Sequence, residues 1–181
     1  IVDIISDVNM AYSEHARRYL ADTGLPKERT YVTGSPMAEV LHMNLAKIEA
    51  SDIHARLGLE KGKYILLSAH REENIDTEKN FTSLFTAINK MAEKYDMPIL
   101  YSCHPRSRNR LAASGFELDK RVIQHEPLGL HDYNCLQMNA FAVVSDSGTL
   151  PEESSFFTSV GHPFPAVCIR TSTERPEALD K

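Results

Sequence analysis

Short apolar runs alternate along this chain with stretches in which apolar residues recur at helical spacing. After residue 62, runs of four to six apolar residues are separated by longer amphipathic segments, which is typical of βαβ units with a parallel sheet. The pattern therefore predicts an α/β fold. The predicted strands cover residues 9–12, 30–33, 64–68, 99–103, 122–124, 140–145 and 166–170.

The helix that follows the third predicted strand has the clearest periodicity. Its apolar positions recur at i, i+3, i+4 and i+7, which predicts one buried stripe. We expect only core packing from this stripe. Its members are Phe81, Leu84, Phe85, Ile88, Met91, Ala92 and Tyr95.

Capping residues predict two helices nearer the amino end. Ser13 is a suitable N-cap for a helix over residues 14–22, which Gly24 would close. Pro36 suits the first turn of a helix that continues to about Leu45.

A domain boundary is predicted where the periodicity weakens, between residues 45 and 62. We expect residues 1–57 to be the end of a first domain and residues 58–181 to be a second, incomplete domain. The sequence has no initiator methionine and ends without a signal that closes the fold, so we expect a segment of a longer protein.

Composition excludes several classes of protein. The 181 residues are 42% hydrophobic and 25% charged, which excludes a disordered chain or a fibre. The net charge of −5 predicts no general attraction to nucleic acid or to an anionic membrane. No apolar run approaches the roughly 20 residues of a membrane span, and the first residues lack a basic region and a cleavage site, so we expect a soluble protein that is not secreted. Three widely spaced cysteines, Cys103, Cys135 and Cys168, fit a reducing cytoplasm better than a disulfide framework or a zinc site.

Unusual polar residues follow three of the predicted strands. His70 and Arg71 follow the third strand, His104 and Pro105 follow the fourth, and the sequence Asp-Ser-Gly-Thr at residues 146–149 follows the sixth. The carboxyl ends of parallel strands share one edge of a sheet, and ligands bind in the crevice outside that edge. The sequence therefore predicts a binding site there.

The turn at residues 146–149 has the features of a phosphate site. Gly148 lets a ligand approach the backbone, and free N–H groups at a helix N-terminus attract anions. The alternative is a plain capped helix start, in which Thr149 and Glu152 form a capping box. Glu153 is not needed by that cap, and its carboxylate could accept hydrogen bonds from two vicinal ribose hydroxyls.

Each basic residue near the predicted crevice also has a structural alternative. His70 and Arg71 could belong to a surface ion-pair cluster with Glu72 and Glu73, and His104 could simply end a strand. Arg106, Arg108 and Arg110 are interpreted as a solvated helix face outside the site. The other six histidines have no metal-binding spacing.

Four ordered motifs resemble the non-hydrolysing UDP-N-acetylglucosamine 2-epimerase family. They are His-Arg-Glu-Glu-Asn at residues 70–74, His-Pro at 104–105, Ser-Asp-Ser-Gly at 145–148 with Glu-Glu at 152–153, and Thr-Glu-Arg-Pro-Glu at 173–177. Val-Thr-Gly-Ser-Pro at residues 32–36 extends the resemblance over nearly the whole chain. The resemblance implies two Rossmann-like domains of the glycosyltransferase-B type that face a cleft. The family's first-domain catalytic carboxylates would lie before Ile1.

The resemblance also implies roles for individual residues. His70 matches the functionally critical histidine, and Glu153 matches the ribose ligand. The remaining substrate-binding or UDP-binding residues implied by the motifs are Arg71, Asn74, His104, Ser147, Gly148, Thr149, Arg170 and Arg175. No metal or nicotinamide cofactor is implied, and the Gly-x-Gly-x-x-Gly fingerprint is absent from the sequence.

The implied reaction is C2 inversion of a UDP-N-acetylhexosamine, by elimination of UDP and its re-addition on the other face. Glu72 and Thr149 stand where many members have arginine and glycine. With Glu-Glu-Ser-Ser at residues 152–155, they favour the branch that makes UDP-N-acetyl-L-fucosamine for bacterial surface polysaccharide. The alternatives are the UDP-N-acetylglucosamine/UDP-N-acetylmannosamine interconversion, a nucleotide-sugar glycosyltransferase and an inactive UDP-binding module. The resemblance also implies a cytoplasmic homodimer at full length, with no nucleic-acid or membrane partner.

Overall fold

A computed structural model describes residues 1–170 of the chain. Parallel strands and surrounding helices make up the α/β fold, as the sequence predicts. The strands are β1 (Asn9–Ala11), β2 (Thr30–Val32), β3 (Ile65–Ser68), β4 (Ile99–Ser102), β5 (Val122–His125), β6 (Ala142–Ser145) and β7 (Ala166–Cys168). The helices are α1 (Val2–Ile5), α2 (Glu14–Asp22), α3 (Met37–Glu49), α4 (Ile53–Leu57), α5 (Glu72–Ile75), α6 (Glu78–Tyr95), α7 (Pro105–Ser114), α8 (Leu130–Met138) and α9 (Leu150–Ser159), with a 3₁₀ turn at Lys27–Arg29.

The larger sheet has five parallel strands in the order β5-β4-β3-β6-β7. The chain builds outward from β3 to β5 and then returns to place β6 on the other side of β3. Ser68 at the end of β3 is in register with Ser102 of β4 and with Ser145 of β6. The carboxyl ends of these strands are therefore level, and the strand order reverses between β3 and β6. A crevice outside such a switch point is the usual ligand site of an open α/β sheet.

Alternate residues of the central strands enter two separate cores, one on each face of the sheet. Leu66 and Val143 face the core formed with α3, α4, α8 and α9. Ile65 and Leu67 face the core formed with α5, α6 and α7. Helices cover both faces of the sheet, which is why its central strands are continuous apolar runs in the sequence.

The predicted stripe of α6 is largely correct. Phe81, Phe85, Ile88 and Ala92 are buried in the second core, with Leu84 and Met91 partly buried against it. Tyr95 was wrongly included, because it is 41% exposed and its ring contacts Phe141 at the helix end.

The amino-terminal residues form a separate, two-stranded parallel sheet from β1 and β2. The Ser13 hydroxyl accepts a hydrogen bond from the Ala16 N–H, so the predicted N-cap of α2 is confirmed. Helix α3 continues to Glu49, beyond its predicted end, and Leu41 and Ile48 enter the first core of the larger sheet. The domain boundary after residue 57 stays a prediction. Within residues 1–170, no helix combines the length and the apolar character that crossing a bilayer requires.

Candidate functional site

A buried carboxylate, Asp146, joins the ends of β3 and β6. Its side chain is fully buried, and its Oδ2 accepts hydrogen bonds from the backbone N–H of His70 at 2.9 Å and of Arg71 at 2.8 Å. The Asn74 side-chain amide donates to the same oxygen at 3.1 Å. Three donors, two from the loop after β3 and one from α5, therefore converge on one acceptor, which fixes the backbone after β3 against the turn after β6.

The His70 imidazole lies beside the other oxygen of the same carboxylate. His70 Nδ1 is 3.2 Å from Asp146 Oδ1. No donor among residues 1–170 makes a hydrogen bond with this oxygen. The His70 side chain remains 52% exposed. The ring thus has one edge against a buried negative charge and another side open to a ligand, an arrangement suited to proton transfer or to donation to an anion.

Arg71 and Asn74 extend this network across the sheet. Arg71 Nε donates to the Asp146 carbonyl oxygen at 2.8 Å. The Asn74 amide, besides contacting Asp146, donates to the carbonyl of Ile169, just after β7, at 2.9 Å. Arg170 is the next residue along the chain and is partly buried. Arg175 lies outside the described residues.

The turn at residues 146–149 differs from the predicted capping box. Thr149 does not cap α9 with its side chain, and its N–H donates to Ser147 Oγ at 3.3 Å. The Glu152 carboxylate accepts a hydrogen bond from Ser35, in the loop between β2 and α3. The capping box is therefore wrong, because Glu152 has a partner that is distant in sequence. Among residues 1–170, no group accepts a hydrogen bond from the Gly148 N–H, which remains available to an anion.

Glu153 is held by two donors from the protein. Thr149 Oγ1 donates to Oε1 at 2.7 Å, and Gln137 Nε2 donates to Oε2 at 2.8 Å. Tyr133 lies nearby, and burial, followed by the negative charge of Glu153, raises the pKa of its hydroxyl to about 12. The tyrosine therefore stays protonated at neutral pH.

His104 lies two residues after β4 and is the N-cap residue of α7. Its Nδ1 accepts a hydrogen bond from the Arg106 N–H at 3.3 Å, and the side chain is exposed. This contact is compatible with the alternative that His104 simply ends a strand. It leaves the Nε2 atom to a ligand.

A cavity of about 540 Å³ opens beside the loop that follows β3. It is lined by His70, Arg71, Glu72, Glu73 and Arg106. Arg106 pairs with Glu72 at 3.2 Å and with Asp76 at 2.6 Å. The interpretation of Arg106 as part of a solvated face is incomplete, since this residue is exposed but also lines the cavity.

Sequence reasoning missed two residues that organise the site. In the sequence, Asp146 is only a member of a predicted turn, and Gln137 carries no prediction. A signal for Gln137 exists in the sequence Cys-Leu-Gln-Met at residues 135–138, where an amide interrupts an apolar run. All four of these residues are buried in α8.

The family assignment comes from comparison with known proteins. A family model described as UDP-N-acetylglucosamine 2-epimerase matches residues 1–181. The chain belongs to the UDP-N-acetylglucosamine 2-epimerase family.

Individual relatives agree with this assignment. A UDP-N-acetylglucosamine 2-epimerase of Methanococcus maripaludis is 30% identical over 99% of this chain and 50% of its own length. The solved structure of the Rickettsia bellii UDP-N-acetylglucosamine 2-epimerase superimposes with a TM-score of 0.86 at 38% identity, over 99% of this chain and 46% of that one. The Methanocaldococcus jannaschii enzyme, solved in complex with UDP-GlcNAc and UDP, gives a TM-score of 0.86 at 28% identity, over 98% of this chain and 49% of that one.

The family has consequences for what the chain contains. This chain spans about half the length of the relatives it matches. Its five-stranded sheet and flanking helices are one part of a fold of the glycosyltransferase-B type.

Proposed function

We propose that this chain contributes the UDP-binding side of the cleft in a UDP-N-acetylhexosamine 2-epimerase. The observation that supports the proposal is the convergence on Asp146 of His70, Arg71 and Asn74 at the switch point of the sheet. The Gly148 N–H, which has no acceptor among residues 1–170, lies on the turn after β6, and the carboxylate of Glu153 lies on the helix that follows this turn. An anion matches Arg71 and the Gly148 N–H. A sugar with vicinal hydroxyls matches the Glu153 carboxylate.

In this proposal the diphosphate lies between the loop after β3 and the turn after β6. Arg71 supplies a fixed planar cation, and Ser147, Gly148 and Thr149 supply the N-terminus of α9. These groups stabilise the negative charge that develops on UDP as it leaves, and such preorganised electrostatic contacts contribute about 3 kcal/mol to a barrier. His70 donates to a phosphate oxygen or transfers a proton.

The other predicted residues bind around this centre. Glu153 accepts hydrogen bonds from the two ribose hydroxyls. Asn74 keeps the loop after β3 in place, and we propose that His104, at the start of α7, contacts the sugar. We propose that Arg170, two residues after β7, and Arg175, outside the described residues, also bind the nucleotide sugar.

For the substrate, we propose UDP-2-acetamido-2,6-dideoxy-L-talose, with UDP-N-acetyl-L-fucosamine as the product. Glu72, Thr149 and residues 152–155 support this branch. The alternative substrate pair is UDP-N-acetylglucosamine and UDP-N-acetylmannosamine. It is supported by the names of several relatives and by the Methanocaldococcus jannaschii complex with UDP-GlcNAc.

The two substrates are separated by isotope exchange. The full-length protein that contains this chain is incubated in deuterated water with each UDP-sugar, and deuterium at C2 is followed by NMR. Elimination and re-addition exchange the C2 hydrogen, so we expect exchange with the L-talo substrate. Exchange with UDP-N-acetylglucosamine alone would contradict the fucosamine branch.

Nucleotide binding is tested on the chain itself. We expect Glu153→Ala to weaken UDP binding about tenfold or more in calorimetry, because a charge-assisted hydrogen bond contributes about 1.5–3 kcal/mol. Glu93→Ala, which removes an exposed carboxylate from α6, is the matched control and should leave the affinity unchanged. Equal affinities for wild type and Glu153→Ala would remove Glu153 from the site.

A further inference from the structure

The Glu153 carboxylate has a protein donor on each of its oxygens. One donor is Thr149 Oγ1, one turn earlier in the chain, at 2.7 Å from Oε1. The other is Gln137 Nε2, on the neighbouring helix α8, at 2.8 Å from Oε2. Two donors on opposite oxygens fix both the position and the plane of the carboxylate.

The number of hydrogens that each group carries gives the direction of each hydrogen bond. An ionised carboxylate only accepts, so the single hydroxyl hydrogen of Thr149 points to Glu153. The contact of 2.9 Å between Ser147 Oγ and Thr149 Oγ1 must then use the Ser147 hydrogen. The same reasoning assigns the amide nitrogen of Gln137, and not its oxygen, to the side that faces Glu153.

The other end of the Gln137 amide is unusual. Gln137 is completely buried, and its Oε1 has no hydrogen-bond partner among residues 1–170. An unpaired buried amide oxygen destabilises a fold relative to an apolar side chain of similar volume. Packing and stability therefore do not account for a glutamine at this position, whereas its contact with Glu153 does.

The number of acceptor sites matches the ligand in the proposed function. An ionised carboxylate has about four acceptor sites, two on each oxygen. Thr149 and Gln137 occupy about one on each oxygen. About one site remains on each oxygen, and the two adjacent hydroxyls of a ribose present two donors side by side.

We propose that Thr149 and Gln137 form a carboxylate clamp that presents Glu153 to both hydroxyls of a ribonucleotide, with Gln137 as a positioning residue. This inference rests on the proposed function, because it assumes that Glu153 binds the ribose. The clamp gives the site a preference for UDP over 2′-deoxy-UDP.

The clamp also assigns the phosphate contacts within the turn. The Ser147 hydroxyl hydrogen is committed to Thr149, and the Ser147 N–H donates to Ser145 Oγ at 3.0 Å. The diphosphate would therefore be met by the Gly148 N–H, while Ser147 maintains the hydrogen-bond chain that ends at Glu153.

The test measures the dissociation constants of UDP and 2′-deoxy-UDP for the 181-residue chain by ¹H–¹⁵N NMR titration, in which the spectra also report folding. We expect wild type to bind UDP about tenfold more tightly, because the deoxy compound lacks one donor to a charged acceptor. Glu153→Ala should bring the ratio close to one. Thr149→Val and Gln137→Met should each lower the ratio about threefold, and Gln137→Met should not lower the urea midpoint of unfolding.

Two further variants separate positioning from general damage. Thr149→Ser keeps the hydroxyl and should retain the wild-type ratio. Thr158→Val removes an exposed threonine hydroxyl from the same helix, where it bonds the Ser154 carbonyl, and should change nothing.

Each contrary result has one meaning. A normal ratio in both Thr149→Val and Gln137→Met, with a ratio near one in Glu153→Ala, overturns the clamp and leaves the proposed function intact. A low ratio in Thr149→Ser also overturns the clamp. A wild-type protein that binds the two nucleotides equally, or binds neither, overturns both the ribose assignment and the clamp.

Discussion

The two ends of strand β3 carry polar clusters of opposite character. At the amino end, the buried Tyr64 hydroxyl donates to the Leu136 carbonyl and lies 3.0 Å from His54 Nε2. His54 Nδ1 is in turn 3.8 Å from the sulfur of Cys135. At the carboxyl end, Asp146 is just as buried, but the His70 beside it is 52% exposed.

This difference separates a structural cluster from a reactive one. Burial raises the pKa of Tyr64 and of the Cys135 thiol, and it lowers the pKa of His54, so all three groups are held in their neutral forms. Their polar atoms contact one another and the backbone. At the carboxyl end, buried Asp146 orients groups whose other sides face the cavity. Buried polar contacts are common to both ends, and only the open side identifies a site.

The largest effect should come from removing the carboxylate that orders the carboxyl end. Asp146→Ala leaves three donors, from His70, Arg71 and Asn74, without their buried acceptor. We expect the free energy of unfolding to fall by about 3 kcal/mol in urea denaturation, and UDP binding to be lost. Asp22→Ala, at an exposed site, should change stability by no more than about 0.5 kcal/mol. If Asp146→Ala bound UDP normally, Asp146 would not order the site.

A substitution at the amino end of β3 should lower the stability of the fold without changing the affinity for UDP. Tyr64→Phe removes the hydroxyl between His54 and the Leu136 carbonyl, and we expect a loss of about 1–2 kcal/mol in unfolding free energy with an unchanged UDP affinity. Tyr95→Phe, at an exposed tyrosine, is the control and should be neutral. A change in UDP affinity in Tyr64→Phe would show that the two ends of β3 are coupled.

The smallest predicted effect is on the pH dependence of the free energy of unfolding. Burial, with a smaller contribution from Lys61, lowers the pKa of His54 in the folded protein. The unfolded chain therefore takes up a proton near pH 6.5 that the folded state resists, so stability is lost as pH falls below about 6.5.

We expect His54→Gln to flatten the pH dependence of unfolding free energy below that pH. The difference in slope should be at most about 1.4 kcal/mol per pH unit, the value for one proton. His42→Gln, at an exposed histidine, should leave the slope as it is. An identical slope in wild type and His54→Gln would contradict the structural account of the amino end.

Much of the fold was predictable because the buried strands and the stripe of α6 leave a periodic signal. Strand positions agree to within a few residues, and the three polar strand ends do share one edge of the sheet. The arrangement around Asp146 was not predictable in the same way. Asp146 and His70 are 76 residues apart, and only the register that sets Ser68 against Ser145 brings them together.

The same limit explains the errors at the start of α9. A capping box is a local pattern, and Thr149 with Glu152 fits it. In the folded chain Glu152 contacts Ser35 and Thr149 contacts Glu153. Partners that are distant in sequence, or on a neighbouring helix as Gln137 is, compete with the local pattern, and the sequence alone does not rank them.

The hydrogen bond between Ser35 and Glu152 joins the loop after β2 to α9, the helix that directly follows the Asp-Ser-Gly-Thr segment. Ser35 also accepts the Met37 N–H at the start of α3, so it is fixed on its own side. Any rotation of the amino-terminal strands against the larger sheet must carry this contact along or break it. A spectroscopic label near Ser35 would therefore report such a rotation.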